Sequence, residues 1–382
     1  MHFKKENKLK KLLIVANVDW FFISHRLCIA EQALKEGWEV YVAAEDSGRS
    51  KEITAKGIYF KDFPFSRSGV NPIKEYLLQQ RFKKLYNSLN PDVIHHVTLK
   101  PVIYGSLAAK SQKMRGVLNA VSGLGYNFTS ERQGIISKIM LAFMKQGFKH
   151  PNTQFVFQNK DDFNELKQLG AFNKSNVFNF IKGSGVNLKM FKPAANTNSR
   201  FTVLFPTRML WDKGVKELRE ASDILKTKYK DKISFKLAGL ADEDNKAGVP
   251  ARYLNDWEDG DFVHWIGYQK DMAVVYQNSD LVVLPSYREG MPRTLIEACA
   301  SGKAIVTTNA IGCRECVDEG VNGFKVAVGS GIELALAIEK IYLNPDLCIA
   351  MGEASRRKAE KEFDQVDVVK KHLEIYNTLL NG

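Results

Sequence analysis

Two glutamates with a fixed spacing stand out in residues 284–298. Glu289 lies in a loop-like stretch after an apolar strand, and Glu297 follows with seven residues between them. Pro292 suits the first turn of a helix, and Gly290 lets the backbone come close to a ligand. Because a carboxylate accepts hydrogen bonds from pairs of hydroxyls, the spacing predicts that the two glutamates bind two sugars, a donor hexose and a nucleotide ribose.

The helix predicted after Pro292 adds an anion site. Its first N–H groups have no partner within the helix, and the helix dipole places partial positive charge there, which suits a diphosphate. The alternative interpretation is that Glu289 caps this helix and that Glu297 is a solvated helical residue.

Two cations follow another apolar strand. Arg208 and Lys213 lie after residues 202–205, before a second helical stretch. Together they can neutralise a diphosphate leaving group without a metal ion. The alternative is that both are ordinary surface cations near a loop.

The elements that must position these residues alternate between strands and helices. Such alternation predicts α/β architecture with parallel sheets covered by helices on both faces, in which ligands bind at the carboxyl ends of the strands. Strands are predicted at 11–18, 39–44, 58–60, 93–97, 116–121, 155–158, 202–205, 234–238, 262–265, 281–284, 304–308 and 324–327. Helices include 24–35, 72–89, 102–112, 161–169, 215–228, 272–277, 292–300, 332–343 and 366–380.

The strands form two successive groups, which predicts two doubly wound domains facing a cleft. A glycine-rich stretch at residues 183–187 and a polar stretch at 192–198 mark the break. The break therefore predicts domains at residues 1–186 and 187–365, followed by a helix at 366–382.

Composition and charge restrict the function classes. The 382 residues are 45% hydrophobic and 26% charged, typical of a folded globular protein. The five cysteines are scattered and odd in number, which favours a reducing cytoplasm over a disulfide framework. Residues 1–190 hold 29 Lys and Arg against 15 Asp and Glu, whereas the remainder holds 26 against 28. A basic first half suits an anionic membrane, an acidic substrate or nucleic acid. The alternative is a basic surface that only keeps the protein soluble.

The residues described above resemble the motifs of a known family. The spacing of Glu289 and Glu297, with Arg208 and Lys213, resembles retaining glycosyltransferases of family 4, which have the GT-B fold of two Rossmann-like domains. Segments 185–193, 312–315 and 322–323 extend the resemblance over nearly the whole chain. Segments 65–72, 123–125 and 210–217 are similar to bacterial enzymes that extend polyprenyl-diphosphate-linked sugars, of which the N-acetylgalactosaminyltransferase type is nearest.

The resemblance implies a role for each matching residue. Arg208 and Lys213 would bind the donor diphosphate, Glu289 the transferred sugar and Glu297 the ribose. The donor site would further include Gly267, Gly290, Met291, Thr294 and Leu295. The implied reaction keeps the anomeric configuration and needs no side-chain nucleophile, no metal and no cofactor, with a UDP-sugar as co-substrate.

One position departs from the family pattern. Many members place a histidine at the end of the strand where this chain has Ser122. Either the leaving phosphate takes the acceptor proton, or another residue of the first domain does so, with His25, His95 and His96 as candidates.

The resemblance implies that the domain at 1–186 binds the acceptor and faces the membrane, that the domain at 187–365 binds the nucleotide-sugar, and that the helix at 366–382 can return to the first domain. Asp19 follows the first strand and can take an acceptor hydroxyl, while Arg26 or Arg67 can take an acceptor phosphate; Ser122 and His25 complete this predicted site. The alternative is that residues after the strand are capping residues.

An amphipathic stretch at residues 135–149 suggests a membrane contact. Ile136, Ile139, Met140, Phe143 and Met144 are spaced for one helical face, with lysines near its edges. The alternative is a helix that faces the core. We expect a peripheral protein on the inner face of the cell membrane that binds a UDP-sugar and a lipid-linked saccharide and does not bind nucleic acid.

Two rival functions stay open. One is a nucleotide-sugar epimerase on the same fold, which would use the same donor without an acceptor. The other is a non-catalytic protein that binds a membrane or nucleic acid.

Overall fold

The structure, a computed structural model, describes residues 9–65, 72–124, 135–194, 198–243 and 245–382. The chain divides into two compact units. The first combines Met1–Ser184 with Val366–Gly382, and the second is Gly185–Gln365. The break comes two residues before the predicted boundary, because the backbone N–H of Val186 donates to the carbonyl of Phe363 inside the second unit, at 2.8 Å.

The first unit contains a sheet whose described strands are all parallel. From edge to edge the order is β3, β2, β1, β4, β5, β6, β7. The strands are β1 (Lys10–Val18), β2 (Trp38–Glu45), β3 (Tyr59–Asp62), β4 (Val93–Val97), β5 (Gly116–Val121), β6 (Thr153–Phe157) and β7 (Val177–Phe180). The order reverses between β1 and β4, which is the doubly wound pattern.

Helices connect these strands. They are α1 (Asp19–His25), α2 (Leu27–Lys35), α3 (Ser50–Thr54), α4 (Pro72–Leu89), α5 (Ser106–Ser111), α6 (Ile135–Gly147) and α7 (Lys160–Gln168). A π-helical turn, Pro101–Gly105, leads directly into α5, so the single helix predicted at 102–112 has two geometries.

The second unit repeats the architecture with a parallel sheet in the order β10, β9, β8, β11, β12, β13. The strands are β8 (Phe201–Pro206), β9 (Ile233–Ala238), β10 (Val263–Gly267), β11 (Leu281–Leu284), β12 (Ala304–Thr308) and β13 (Gly323–Val326). Its helices are α8 (Val215–Tyr229), α9 (Ala251–Asn255), α10 (Met272–Gln277), α11 (Arg293–Ala300), α12 (Gly331–Tyr342) and α13 (Pro345–Glu362). The chain then ends in α14 (Gln365–Asn381), which belongs to the first unit.

The central strands are buried on both faces. Every residue of β4, β5, β11 and β12 is buried. Such strands appear in the sequence as continuous apolar runs because helices cover both sides of a parallel sheet. The fold is therefore α/β with two Rossmann-like units, as expected.

Helix α14 packs in the core of the first unit, although it directly follows the second unit in sequence. Leu373, Tyr376 and Leu379 join the apolar cluster formed by one face of the first sheet. The hydroxyl of Tyr376 lies 2.7 Å from Nδ1 of His95 in β4. A Cβ added at Gly116 would lie 2.9 Å from Cβ of Leu379, so the glycine allows the helix to approach β5 closely.

Helix α6 turns two of its long apolar side chains into the core. Met140 and Met144 are buried in the cluster on the other sheet face, and Ile139 is exposed. The side chain of Ile136 lies outside the described residues. The core-facing alternative thus accounts for the two methionines. Within the described ranges, no helix has the length and apolar character that crossing a bilayer requires.

Gly312 lies where two backbone segments of the second unit are in close contact. Its φ is +80°, and an added Cβ would lie 2.4 Å from the carbonyl oxygen of Glu289. Gly320 is a matched control, because its φ is +72° and an added Cβ would meet open space. We expect Gly320→Ala to cost about 1–2 kcal/mol of unfolding free energy from backbone strain, and Gly312→Ala to cost about 1–3 kcal/mol more.

The measurement is urea unfolding followed by tryptophan fluorescence. Equal losses of stability in the two variants would contradict the close backbone contact at Gly312.

Candidate active site

Hydrogen bonds hold both the backbone and the side chain of Glu289 in the loop between β11 and α11. Its backbone N–H donates to the carbonyl of Ile311 at 2.9 Å. The hydroxyl of Ser286, which is fully buried, donates to Oε1 of the Glu289 carboxylate at 2.9 Å. The N-cap residue of α11 is Pro292, so Glu289 does not cap this helix. The capping alternative is therefore wrong.

Lys213 meets Glu289 across neighbouring strand ends. It lies in a short 3-10 turn, Trp211–Lys213, that follows β8, and β8 pairs with β11. Nζ of Lys213 forms an ion pair with Oε1 of Glu289, and each side chain is 15% exposed. The structure thus brings together two predicted site residues that are 76 positions apart.

The two loops are joined by their backbones as well. Gly214 has φ +81°, and an added Cβ would lie 2.3 Å from the carbonyl oxygen of Pro285. The N–H of Tyr287 donates to the carbonyl of Asp212 at 2.9 Å. The Tyr287 hydroxyl donates to Oε1 of Glu217, in the first turn of α8, at 2.6 Å. These contacts hold the Lys213–Glu289 pair in one position.

Arg208 lies nearby but has a different partner. Its Nη1 is 2.9 Å from Oδ2 of Asp242, and its side chain is 51% exposed. Asp212, which was not predicted as a site residue, interacts electrostatically with Lys213, Glu289 and Arg208. Burial raises the pKa of Asp212, while Lys213 lowers it and Glu289 raises it. Oδ1 of Asp212 is buried with no hydrogen-bond partner in the described part of the chain.

Glu297 is buried on the inner side of α11, so the solvated alternative is wrong. Nε of Arg293, one turn earlier, lies 2.7 Å from its Oε1. Burial raises the pKa of Glu297, whereas Arg293 and the hydroxyl of Tyr276 lower it. Nη1 of Arg293 is buried and has no hydrogen-bond partner among the described residues. Arg293 was not predicted, although an i, i+4 Arg–Glu pair is a readable signal.

The other predicted donor residues have mixed environments. Met291 and Leu295 are buried in the apolar core, so Leu295 can offer only its backbone. Gly290 lies against Gly312, where an added Cβ would come within 2.7 Å of the Gly290 oxygen. The carbonyl of Thr294 accepts a hydrogen bond from Tyr276 at 2.9 Å.

Gly267 is the last residue of β10 and therefore lies at the carboxyl end of that strand. Its φ is +61°, and an added Cβ would meet open space. Its carbonyl accepts from the N–H of Gly239 at 2.8 Å, and Gly239 itself packs against Thr207, next to Arg208. Among the described residues, no group of three or more His, Cys, Asp or Glu side chains is arranged to hold a metal ion.

In the first unit, Asp19 organises a neighbouring loop. It is fully buried at the start of α1, and its Oδ2 accepts from the N–H groups of Ser47 and Arg49, each at 2.9 Å. The Ser47 hydroxyl donates to its Oδ1. These bonds give Asp19 a structural role.

Arg26 is also enclosed. Its guanidinium is buried and donates from Nη1 to the carbonyl of His25 at 2.9 Å. His25 is half-buried, stacks on Phe21 with ring centroids 4.1 Å apart, and lies 2.7 Å from the Ser24 hydroxyl through Nδ1. Arg26 is therefore packed within the unit, whereas Arg67 lies outside the described residues.

Ser122 and the two histidines of β4 differ in their surroundings. Ser122 follows β5, and its hydroxyl is buried with no partner within the described ranges. His95 and His96 are fully buried, and burial lowers the pKa of each. His96 bonds the Tyr86 hydroxyl at 2.7 Å and the Asn119 side chain at 2.8 Å. Both histidines thus belong to the core.

Comparison with known proteins matches each unit to a family. The family model "Glycosyl transferase 4-like" matches residues 11–159. The model "Glycosyl transferases group 1" matches residues 186–358, which include the Lys213–Glu289 pair.

Relatives extend over most of the chain. The N,N'-diacetylbacillosaminyl-diphospho-undecaprenol alpha-1,3-N-acetylgalactosaminyltransferase of Campylobacter jejuni is 29% identical over 361 residues, covering 90% of this chain and 92% of the relative. The putative glycosyltransferase EpsD of Bacillus subtilis is 24% identical over 386 residues, covering 97% of each chain.

Solved structures share the fold. Anabaena Alr3699/HepE, in complex with UDP and glucose, matches with a TM-score of 0.76 at 17% identity, covering 97% of this chain and 100% of that one. Sucrose-phosphate synthase from Thermosynechococcus elongatus matches with a TM-score of 0.79 at 18% identity, covering 97% and 99%. With a glycosyltransferase model on each unit and this fold, the chain belongs to the GT-B glycosyltransferases.

Proposed function

We propose that this protein is a retaining, metal-independent glycosyltransferase. It moves a hexose or N-acetylhexosamine from a UDP-sugar to a polyprenyl-diphosphate-linked saccharide, at the inner face of a cell membrane. The observation that carries the proposal is the Lys213–Glu289 pair at the strand ends of the second unit, with Arg208 in the same electrostatic neighbourhood.

The donor side follows from the charges. Lys213 and Arg208 bind the donor diphosphate, so the Lys213 ammonium is shared between phosphate oxygens and Glu289. Both cations stabilise the negative charge that grows on the diphosphate as the bond to the sugar breaks, in a partly buried site where such contacts are strong. The fixed carboxylate of Glu289 accepts hydroxyls of the transferred sugar, and that of Glu297 accepts the ribose hydroxyls.

The transfer step needs no enzyme nucleophile. The anomeric carbon loses its bond to the diphosphate oxygen and gains one to the acceptor oxygen on the same face. The acceptor proton passes to the leaving phosphate. His95 and His96 are too deeply buried to receive it, which leaves the half-buried His25 as the alternative base in the first unit.

The nature of the two ligands is inferred from the relatives. The printed name of the Campylobacter jejuni relative specifies an undecaprenyl-diphosphate-linked acceptor, and that of the Anabaena structure specifies UDP. We assign acceptor binding to the first unit and donor binding to the second.

The deciding measurement is thermal stabilisation by a panel of nucleotides and nucleotide sugars. A ligand that binds only the folded state raises the melting temperature. We expect UDP and one UDP-hexose or UDP-hexosamine to do so selectively, with no change on adding EDTA. No stabilisation by any nucleotide would contradict the donor assignment, and isomerisation of the donor without acceptor would identify an epimerase instead.

Removing either cation should slow transfer. We expect Arg208→Ala and Lys213→Ala each to lower kcat by roughly 10²–10³-fold, the cost typical of losing one transition-state hydrogen-bond donor. Arg252→Ala is the matched control, since that side chain is 92% exposed and lies in the same unit. Near-normal turnover in a folded Arg208 or Lys213 variant would remove that residue from the mechanism.

Donor affinity should depend on the ionisation of Glu297. Arg293→Gln removes the neighbour that lowers the Glu297 pKa, so the pKa rises further and donor affinity falls at low pH and recovers as pH increases. Glu297→Gln should weaken binding by roughly 1.5–3 kcal/mol at pH values where Glu297 is ionised, and should abolish this pH dependence. The measurement is the donor dissociation constant across pH; identical profiles for Arg293→Gln and the native protein would refute the coupling.

A further inference from the structure

The outward side of helix α4 carries three exposed apolar side chains. Ile73, Tyr76 and Leu77 are 72%, 61% and 53% exposed, and their i, i+3, i+4 spacing places them on one helical face. The opposite side of the helix is the buried one, where Leu78 and Phe82 pack in the core. These apolar residues therefore point away from the unit that they belong to.

The charged side chains that α4 itself exposes are of one sign. Lys84 is exposed on the same side of α4, and Lys74 and Arg81 flank it. The single acidic residue of the helix, Glu75, is buried and pairs with Lys100 at 3.1 Å. No carboxylate of α4 consequently faces outward to offset the cations.

Helix α6 packs against α5, as α4 does, and adds further basic residues on this side of the sheet. Its Met140 and Met144 pack in the same core cluster as α4, so both helices cover the same face of the sheet. Its outward residues include Lys138, Ile139 and Lys145, and α6 contains no Asp or Glu. An amphipathic surface with exposed aliphatic and tyrosine side chains among lysines suits the interface of an anionic bilayer.

The position of the exposed apolar residues in the fold also suits contact with a lipid surface. The Glu75–Lys100 pair joins the start of α4 to the residues that follow β4. The exposed apolar residues therefore lie towards the carboxyl ends of the strands, where the acceptor is expected in such sheets. A bilayer at this face would hold a lipid-linked acceptor near that edge.

We propose that Ile73, Tyr76 and Leu77 insert into an anionic lipid surface, with Lys84 and the lysines of α6 contacting lipid phosphates. This assignment deepens the proposed function, on which its reference to a lipid-linked acceptor rests. It places the main apolar contact on α4, whereas the sequence had suggested the face of α6.

The test compares two pairs of substitutions that are matched in residue type and spacing. Ile73→Ser with Leu77→Ser changes the α4 face. Ile332→Ser with Leu336→Ser is the control, because Ile332 and Leu336 have the same i, i+4 spacing on α12 and are 59% and 58% exposed. The α12 helix also carries Glu333 and Glu339, so it lacks the basic surroundings.

Flotation with lipid vesicles is the measurement. We expect the native protein to bind phosphatidylcholine vesicles that contain phosphatidylglycerol, to bind pure phosphatidylcholine more weakly, and to be released by salt. The α4 variant should lose at least about tenfold in partition coefficient, while the α12 variant should bind as the native protein does.

Three results would overturn the proposal: native-like flotation of the α4 variant, equal loss in both variants, or no binding of the native protein to anionic vesicles. In the last case, sedimentation that shows self-association abolished by the α4 substitutions would assign the face to a second copy of the chain. The melting-temperature shift caused by UDP should be unchanged in both variants. Its absence in all three proteins would count against the proposed function and not against the lipid contact.

Discussion

The ion pair between Lys213 and Glu289 is the interaction on which the arrangement of the second unit's site depends. A half-buried ion pair gives up much of its Coulomb energy as lost hydration, so stability alone is a weak reason to keep one. The structure nevertheless supports it with Ser286, with the contact of Gly214 on Pro285, and with backbone bonds between the loops. This support keeps a cation and a carboxylate at adjacent strand ends, where a charged ligand can use both without reorganising the loops.

Much of the fold could be predicted because strands buried on both faces leave continuous apolar runs in the sequence. The exceptions have physical reasons. Edge strand β7 was missed because its residues are half-buried or exposed, so it lacks such a run. Helix α13 was missed because its packing relies on small residues such as Gly352 and Ala359 within a highly charged stretch. The return of α14 to the first unit was expected only from the family resemblance, because no local pattern encodes the contact between Tyr376 and His95 across 281 positions.

The site was predictable where spacing along one loop and helix fixes geometry, and less so where partners are distant. The alternative interpretations, that Glu289 caps α11 and that Glu297 is solvated, are both wrong because packing decides capping and burial. Pro292 is the N-cap residue, and Glu297 lies on the buried side of α11. The predicted acceptor role of Asp19 followed from its position after β1. Its hydrogen bonds to Ser47 and Arg49, which are 28 and 30 positions away, could not be read from that position.

The two units differ in net charge, so they would attract an anion by different physical means. The first, residues 1–184 with 366–382, holds 30 Lys and Arg against 17 Asp and Glu, whereas residues 185–365 hold 25 against 26. Long-range attraction therefore acts at the first unit and is screened by salt. In the second unit net charge offers no attraction, so binding of a diphosphate there would depend on local groups, namely Lys213, Arg208 and the N-terminus of α11. Because Lys213 is largely shielded from solvent, salt should weaken its contacts less than those of the exposed Lys84.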